Sequence, residues 1–353
     1  MQPSNFDFLL IGQGLAGTLL AHFLQKAGKT VFVFGQQAED TASQVAAGLI
    51  NPVTGRRFVK SWRVDSLIPF ARETYRELGR QLNLSLYHER NILRALAGAG
   101  EENDWLARSM EPGYGQYILD SAELEHYSGK INEAFGYGEV QHSAQVDIGK
   151  LVGAYRRYLV EQGLYREEQF DYEKLEVGAQ GVCYKGFSAG AAVFCEGRWA
   201  SGNPFFNYLP FHGDKGEALL VRIPGAGFGK ILKQDIFIVP MEDGLYWVGS
   251  NYVKNPADGR PTAAGAAFLH DRLQQLLKLP FEIVAHRAAI RPTVRGRRPF
   301  LGRHPEFPRL ALFNGLGTKG ASLGPFWASH MADHLVNNVI LDEEVDIRRF
   351  EKK

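Results

Sequence analysis

Cysteine is nearly absent: the 353 residues hold two, Cys183 and Cys195. Neither belongs to a Cys-x-x-Cys or Cys/His spacing of the kind that holds zinc or shuttles electrons. Both stand in apolar, strand-like surroundings, which reads as buried free thiols in a reducing compartment rather than as a disulfide framework. The ten histidines are scattered without ligand spacing, so no metal site is expected. An excess of charge of one sign is also missing. The formal net charge of +1 gives no overall drive toward nucleic acid or an anionic membrane. No apolar run approaches the length that spans a bilayer, and no basic segment followed by a long apolar stretch opens the sequence. A cytoplasmic location is the expectation. There is no internal repeat and no low-complexity tract. The length allows a substantial core and two intimately linked domains.

What is present is glycine in a telling place. The apolar run Phe6 to Ile11 leads directly into Gly12-Gln13-Gly14-Leu15-Ala16-Gly17, a Gly-x-Gly-x-x-Gly turn that starts an apolar helix. In such a turn Gly12 permits the tight bend, Gly14 lets the backbone approach a pyrophosphate, and Gly17 lets helix and strand pack closely. Unpaired N–H groups and the helix dipole then favour an anion at the helix start. Leu15, Leu19, Leu20, Phe23 and Leu24 supply a helical apolar face that closes at Gly28, and Thr30 to Phe34 reads as the next strand. Dinucleotide binding is the leading reading of this unit.

Farther along, Val64 to Leu82 carries helical spacing, and Leu86 to Ala97 reads as a pair of strands. Gly98-Ala99-Gly100 marks a loop, followed by a segment rich in turns, aromatics and charges up to about Gly138. Asp147 is placed to cap a helix through Gln162 that ends at Gly163. Leu175 to Tyr184 and Ala191 to Cys195 read as strands. Several more between Glu217 and Tyr252 point to an antiparallel sheet forming the floor of a substrate domain. Ala263 to Leu277 reads as a helix, Phe281 to Ile290 and Ala311 to Phe313 as strands, and a last helix is expected from Pro325 toward Val339. The segment Gly186-Phe187-Ser188-Ala189-Gly190 imitates the nucleophile elbow of hydrolases. Strand-like flanks on both sides make it a hairpin turn instead.

Several further residues carry chemistry. The position about 20 residues past the glycine turn, where an acidic side chain would bind an adenosine ribose, falls on Gly35. Gln36 is the first substitute, with Gln37, Glu39 and Asp40 nearby. The stretch Ala42 to Pro52 is small and apolar, suited to lying against a flat ring. Arg291 ends an apolar strand and offers a planar fork for a carboxylate. Arg295, Arg297, Arg298 and Arg303 read as a solvated or phosphate-facing cluster. The loop Gly315 to Gly320 can aim backbone N–H groups at negative charge on a reduced cofactor ring.

These motifs, in this order, resemble the D-amino-acid oxidase-like family of FAD-dependent oxidoreductases, which includes glycine oxidases, sarcosine oxidases and D-amino-acid dehydrogenases. The residues that carry the resemblance are Gly12, Gly14 and Gly17, the segment Ala42 to Pro52, Val146-Asp147, Val193 to Trp199, Lys215-Gly216-Glu217, Arg291-Pro292, Pro299 to Gly302 and Gly315 to Pro325. It implies an α/β fold: a Rossmann-like FAD-binding domain assembled from residues 1–82, 140–205 and 286–353. An α+β substrate domain (83–139 and 206–285), on a mainly antiparallel sheet, is inserted in it. The implied contacts to non-covalent FAD are Gly12, Gly14, Leu15, Ala16, Gly17, Gln36, Ser43, Ala47, Gly48, Leu49, Gly197, Gly317, Thr318, Lys319 and Gly320. The implied chemistry is oxidation of the carbon–nitrogen bond of a small amino acid or N-substituted glycine by hydride transfer to flavin, with Arg291 clamping the carboxylate.

This sequence departs from the family pattern at four positions. Gly35 replaces the acidic ribose ligand, Gly296 an aspartate, Phe237 the tyrosine that assists the carboxylate in glycine oxidases, and Trp247 the lysine that activates oxygen in sarcosine oxidases. Tyr252 is the candidate to compensate for Phe237, and the electron acceptor stays open between oxygen and another oxidant. No cysteine stands in the C-terminal flavin loop to attach the cofactor. Asn314 to Pro325 also resembles the oxidase domain of the tRNA wobble-uridine modification enzyme, which removes a carboxymethyl group from a secondary amine. That makes tRNA an alternative partner, disfavoured by the net charge. A flavin-binding relative without catalysis is the third reading.

Overall fold

Successive residues of the central strands feed two different cores, as a sheet covered on both faces requires. The computed structural model describes residues 4–119, 122–254 and 256–350. In the strand Ser4–Ile11, Phe8 and Leu10 enter one core while Leu9 and Ile11 enter the other. Val31–Gly35, Phe187–Phe194 and Leu310–Asn314 divide in the same way, Val33, Val193 and Phe313 against Phe34, Phe194 and Leu312. These four strands run parallel, with Ser4–Ile11 between Val31–Gly35 and Phe187–Phe194. Tyr165–Glu167 extends one edge, and antiparallel Leu175–Val177, Val182–Tyr184 and Phe300–Arg303 complete eight strands.

The first core is closed by the helices Leu15–Lys26, Val64–Leu82, Ile148–Glu161 and Gly320–Asn337. The second is an aromatic layer in which Phe170 stacks on Tyr184 at 4.2 Å between ring centres. A nine-stranded sheet faces this unit. Its long strands Phe211–Arg222 and Glu282–Val294 pair antiparallel, and Leu245–Gly249, Phe237–Pro240 and Ile231–Lys233 follow in antiparallel order. Among the described residues only the step from Ile231–Lys233 to Ile92–Leu96 is parallel. The helix Ala263–Leu276 buries Leu269, Leu273 and Leu276 on this sheet. The mixed α/β architecture with one Rossmann-like and one mainly antiparallel sheet is the one the motifs implied.

The structure corrects the sequence reading at several elements. Leu86 to Ala97 holds two strands that do not pair with each other: Tyr87–Glu89 joins Ala144–Val146 in a small separate sheet, and Ile92–Leu96 joins the large one. Gly98 to Gly100 is no simple loop but the start of the helix Ala99–Ser109, whose first turn carries Glu101 and Glu102. Acidic residues there suit the helix dipole. Its Trp105 lies so close over Gly138 that a Cβ there would sit 2.1 Å from the indole. Asp147 stands at the N-cap of Ile148–Glu161, yet its side chain makes no cap bond. The carboxylate is taken by His88 Nε2 at 2.9 Å and Gln145 Nε2 at 2.7 Å. The strand that carries Arg291 continues to Val294. The hydrolase-like segment is indeed a hairpin, with Lys185 and Gly186 at positive φ and Ser188 inside a strand.

The last helix begins at Gly320, five residues before the proline expected to start it. Pro325 has no N–H, so the carbonyl of Ala321 loses its helical partner. Tyr75 fills the gap: its buried hydroxyl donates to the Ala321 carbonyl at 2.9 Å. Tyr75→Phe therefore leaves a buried carbonyl unsatisfied and should lower stability by about 1–3 kcal/mol. Urea unfolding checks this, and an unchanged midpoint would show that the helix satisfies the carbonyl by another route.

Candidate active site

Two glycines weld the first helix to the sheet. Gly12 has φ +104° and packs so tightly that a Cβ on it would lie 2.4 Å from the Cys195 carbonyl oxygen. A Cβ on Gly17 would lie 1.9 Å from the Gly12 carbonyl oxygen. The helix therefore starts at the carboxyl end of the parallel strands, where α/β sheets bind ligands. Gly14 is its N-cap and has no side chain to cap it; Ser43 Oγ, from another segment, accepts from the first helical N–H, that of Leu15, at 3.0 Å.

From this helix start a cavity of about 880 Å³ runs between the two sheets. It is lined by Gly12, Gly14, Leu15, Ala16, Gln36, Ser43, Ala47, Gly48, Leu49, Gly197, Gly317, Thr318, Lys319 and Gly320, together with Arg291 and Tyr252. Gly17 is the exception among the expected contacts: it does not line the cavity, and its place is in the helix–strand contact. Lys319 is not aimed at open space either. Its ammonium donates to Ser61 Oγ at 3.0 Å, and burial, with Arg297 and Arg298 nearby, lowers its pKa.

At the second strand the missing acid has a structural reason. A Cβ on Gly35 would meet the ring and hydroxyl of Tyr165 at 3.1 Å. The phenol thus fills the volume that an acidic side chain would take, and its buried hydroxyl has no hydrogen-bond partner among the described residues. Gln36 remains exposed at this end, and Arg156, also in the cavity wall, donates from Nε to Gln13 Oε1 at 2.8 Å. Gly296 likewise has a backbone reason for being glycine, a turn with φ +79°.

On the floor, Arg291 lies flat over the neighbouring strand, and a Cβ on Gly216 would fall 1.8 Å from its Nη2. Sheet alternation explains the whole Lys215-Gly216-Glu217 motif. Gly216 clears the cavity side for Arg291, while buried Lys215 and Glu217 pair at 3.4 Å. Glu217 also accepts from the Thr262 N–H and hydroxyl, both at 2.8 Å, which anchors the start of the helix Ala263–Leu276. Arg291 Nη2 donates to Ser250 Oγ at 2.7 Å, but its buried Nη1 has no partner among the described residues. Desolvation lowers the guanidinium pKa.

Tyr252 does not offer a free hydroxyl in place of Phe237. Its hydroxyl is bonded to Asp214, and what faces Arg291 is its ring, 5.6 Å from the guanidinium carbon. Trp247 donates from Nε1 to the Val45 carbonyl at 2.8 Å and ties the floor to the small-residue segment. The arginine cluster disperses: Arg298 covers Trp62 and pairs with Glu344 at 3.3 Å, and Arg303 donates to the Pro308 and Leu335 carbonyls. Of the cluster, Arg297 alone lines the cavity. Sequence reasoning missed Tyr165, Ser250 and Lys233, each a cavity or ribose-end group supplied by a strand or strand end that no motif marks.

Residues 7–334 match a family model described as FAD dependent oxidoreductase. The chain belongs to that family. It is 26% identical to the glycine oxidase of Bacillus licheniformis over 381 aligned residues, covering 99% of this chain and 98% of that one. Identity to the glycine oxidase of Bacillus subtilis (strain 168) is 22% over 369 residues, with 99% and 98% covered. Among solved structures, glycine oxidase from Geobacillus kaustophilus superposes with a TM-score of 0.81 at 21% identity, covering 98% of each chain. Iminodiacetate oxidase from Chelativorans sp. BNC1 does so at 0.79 and 20%, covering 97% and 98%.

In this FAD-dependent oxidoreductase the cavity at the helix start is a place where the cofactor could lie. The helix start at Gly14, which presents no side chain, and the small-residue wall Ala46 to Gly48 could hold a pyrophosphate and a flat ring. Beside it, Glu196 accepts from Tyr172 and from Asn203, the latter at 2.7 Å. Desolvation outweighs these bonds and pushes its carboxyl up to about 7.

A carboxyl raised from 4.5 to about 7 holds its proton more firmly in the folded state than in the unfolded one. Its contribution is therefore full below pH 4.5 and lost as pH rises through about 7. Replacing it with Gln should make the variant gain stability relative to the native protein across that window, by at most about 1.4 kcal/mol per pH unit. Parallel unfolding curves of Glu196→Gln and native protein between these limits test this. A constant difference would mean that the carboxyl is already ionised throughout.

Proposed function

We propose that this enzyme oxidises the carbon–nitrogen bond of a small amine bearing a carboxylate, an amino acid or an N-substituted glycine, by hydride transfer to non-covalent FAD. The observation that carries this reading is the desolvated Arg291 in the cavity floor, whose Nη1 has no partner among the described residues. A buried charge without a partner is costly, and a planar guanidinium is matched best by a two-oxygen anion. The relatives named glycine oxidase and iminodiacetate oxidase act on carboxylate-bearing amines, in keeping with that fork.

FAD, when bound, supplies the two-electron acceptor. The protein's part is to bind, orient and keep water out. Arg291 would hold the carboxylate, its plane set by Ser250 on one side and the Tyr252 ring on the other. Phe237 and Trp247 line the same space and exclude water, with Trp247 fixed by its bond to Val45. The non-covalent state is supported by the thiols: Cys195 lines the cavity, but burial pushes its pKa up and leaves no thiolate to attach a flavin. Cys183 lies in the hairpin strand Val182–Tyr184, outside the cavity lining.

Replacing Arg291 by Met should leave flavin content intact and weaken carboxylate binding by about 100-fold, the scale of a lost charge-assisted pair. Titration of the flavin absorption spectrum with acetate and with glycine in the absence of oxygen reads this. Equal affinity in both proteins would remove Arg291 from the substrate site.

A further inference from the structure

A second cation in the cavity wall has no task in the reaction as derived above. Lys233 ends the short strand Ile231–Lys233 and stands level with Phe237 on one neighbouring strand and Arg94 on the other. Residues level across a sheet project from the same face. Phe237 is in turn level with Gly249, and Gly249 with Ala218, so this row crosses the floor under the cavity. Lys233, Phe237, Ala218 and Arg291 all line that one cavity.

The ammonium of Lys233 lies 4.6 Å from the centre of the Phe237 ring. Its protein acceptors are two backbone carbonyls, of Gln234 and of Asp235, the latter at 2.9 Å. It makes no ion pair with a carboxylate among the described residues. Behind it stands Arg94, whose own acid, Glu101, is at 3.6 Å. Desolvation and then the charge of Arg94 depress the Lys233 pKa to about 8, against the weaker pull of Asp235 and Glu101. An ammonium placed between an aromatic ring and a guanidinium, with only neutral oxygens to bond, is stabilised most by an anion arriving from the cavity. The first substrate anion is already assigned to Arg291, on the far side of the floor.

We propose that Lys233 receives a second carboxylate, so that the substrate is a dicarboxylic amine held by Arg291 at one end and by Lys233 across the Phe237 ring at the other. This rests on the reading of Arg291 above and narrows the substrate class. It also gives the departure at Phe237 a purpose. A phenyl ring there supports the ammonium by its face and leaves no hydroxyl to compete for the incoming acid.

The test uses the flavin-loaded protein at neutral pH and inert acids read by the flavin absorption spectrum: succinate and glutarate against butyrate and pentanoate. At least one diacid should bind about tenfold or more tightly than its monoacid of equal length, the scale of one added charge pair away from bulk water. Lys233→Met should bring that diacid down to the affinity of the monoacid, and Lys233→Arg should restore most of the difference. A diacid that binds no better than its monoacid, or an advantage that survives Lys233→Met, overturns the proposal. If the monoacids still require Arg291 in that case, the carboxylate clamp stands and only the second site falls. Failure of every acid to bind overturns both.

Discussion

Everything in this molecule is referred to one contact, the approach of the Gly12 carbonyl to Gly17. With 1.9 Å between that oxygen and the place of a Cβ, no side chain fits between the helix Leu15–Lys26 and the turn before it. That contact brings the helix start to the ends of the parallel strands and leaves its N-cap bare of a side chain. The Ala42–Val45 segment then docks on it through Ser43, and the floor docks on the segment through Trp247. The cavity is thus bounded by a chain of short polar contacts that begins at a glycine. A methyl group at Gly17 would push on the backbone itself, which has nowhere to yield.

The second sheet answers with charge. Its alternation sends Lys215 and Glu217 away from the cavity, where they satisfy each other and hold a helix, and leaves Gly216 beneath Arg291. The buried pair on the closed side is completed within the protein. Two cations on the open side are not: among the described residues Arg291 keeps an unbonded Nη1, and Lys233 has only carbonyl oxygens and an aromatic face. Such groups lower stability, and their persistence in a well-packed floor is what supports the proposal that a ligand completes the structure there. A polar site built on two rigid sheets keeps these charges from relaxing toward water.

Much of the fold could be read ahead because strong periodicity and punctuation coincide. Val64–Leu82 is helical over the range its apolar spacing indicates, and Gly28 and Gly163 end their helices at positive φ. Reading failed where a local signal was outvoted. Gly98 and Gly100 look like a loop, yet the burial of Trp105 over Gly138 stabilises a helix there. Pro325 looks like a helix start, yet Tyr75 supplies the hydrogen bond that lets the helix begin a turn and more earlier. The two strands in Leu86 to Ala97 look like partners, yet each finds a longer-range partner in a different sheet. In all three cases the deciding group is distant in sequence.

The sequence by itself determined the cofactor class and singled out the arginine proposed as the clamp, because both depend on local facts. A glycine turn must follow a strand and precede a helix, and an arginine must end or cross an apolar strand. Only the tertiary structure decided what stands beside them. It put Tyr165 in the space vacated at Gly35, engaged Tyr252 with Asp214, and aligned Lys233 with Phe237 on the cavity floor. Sheet register brings such residues together across strands that the chain order separates, and register is set by which faces must be buried rather than by any short motif.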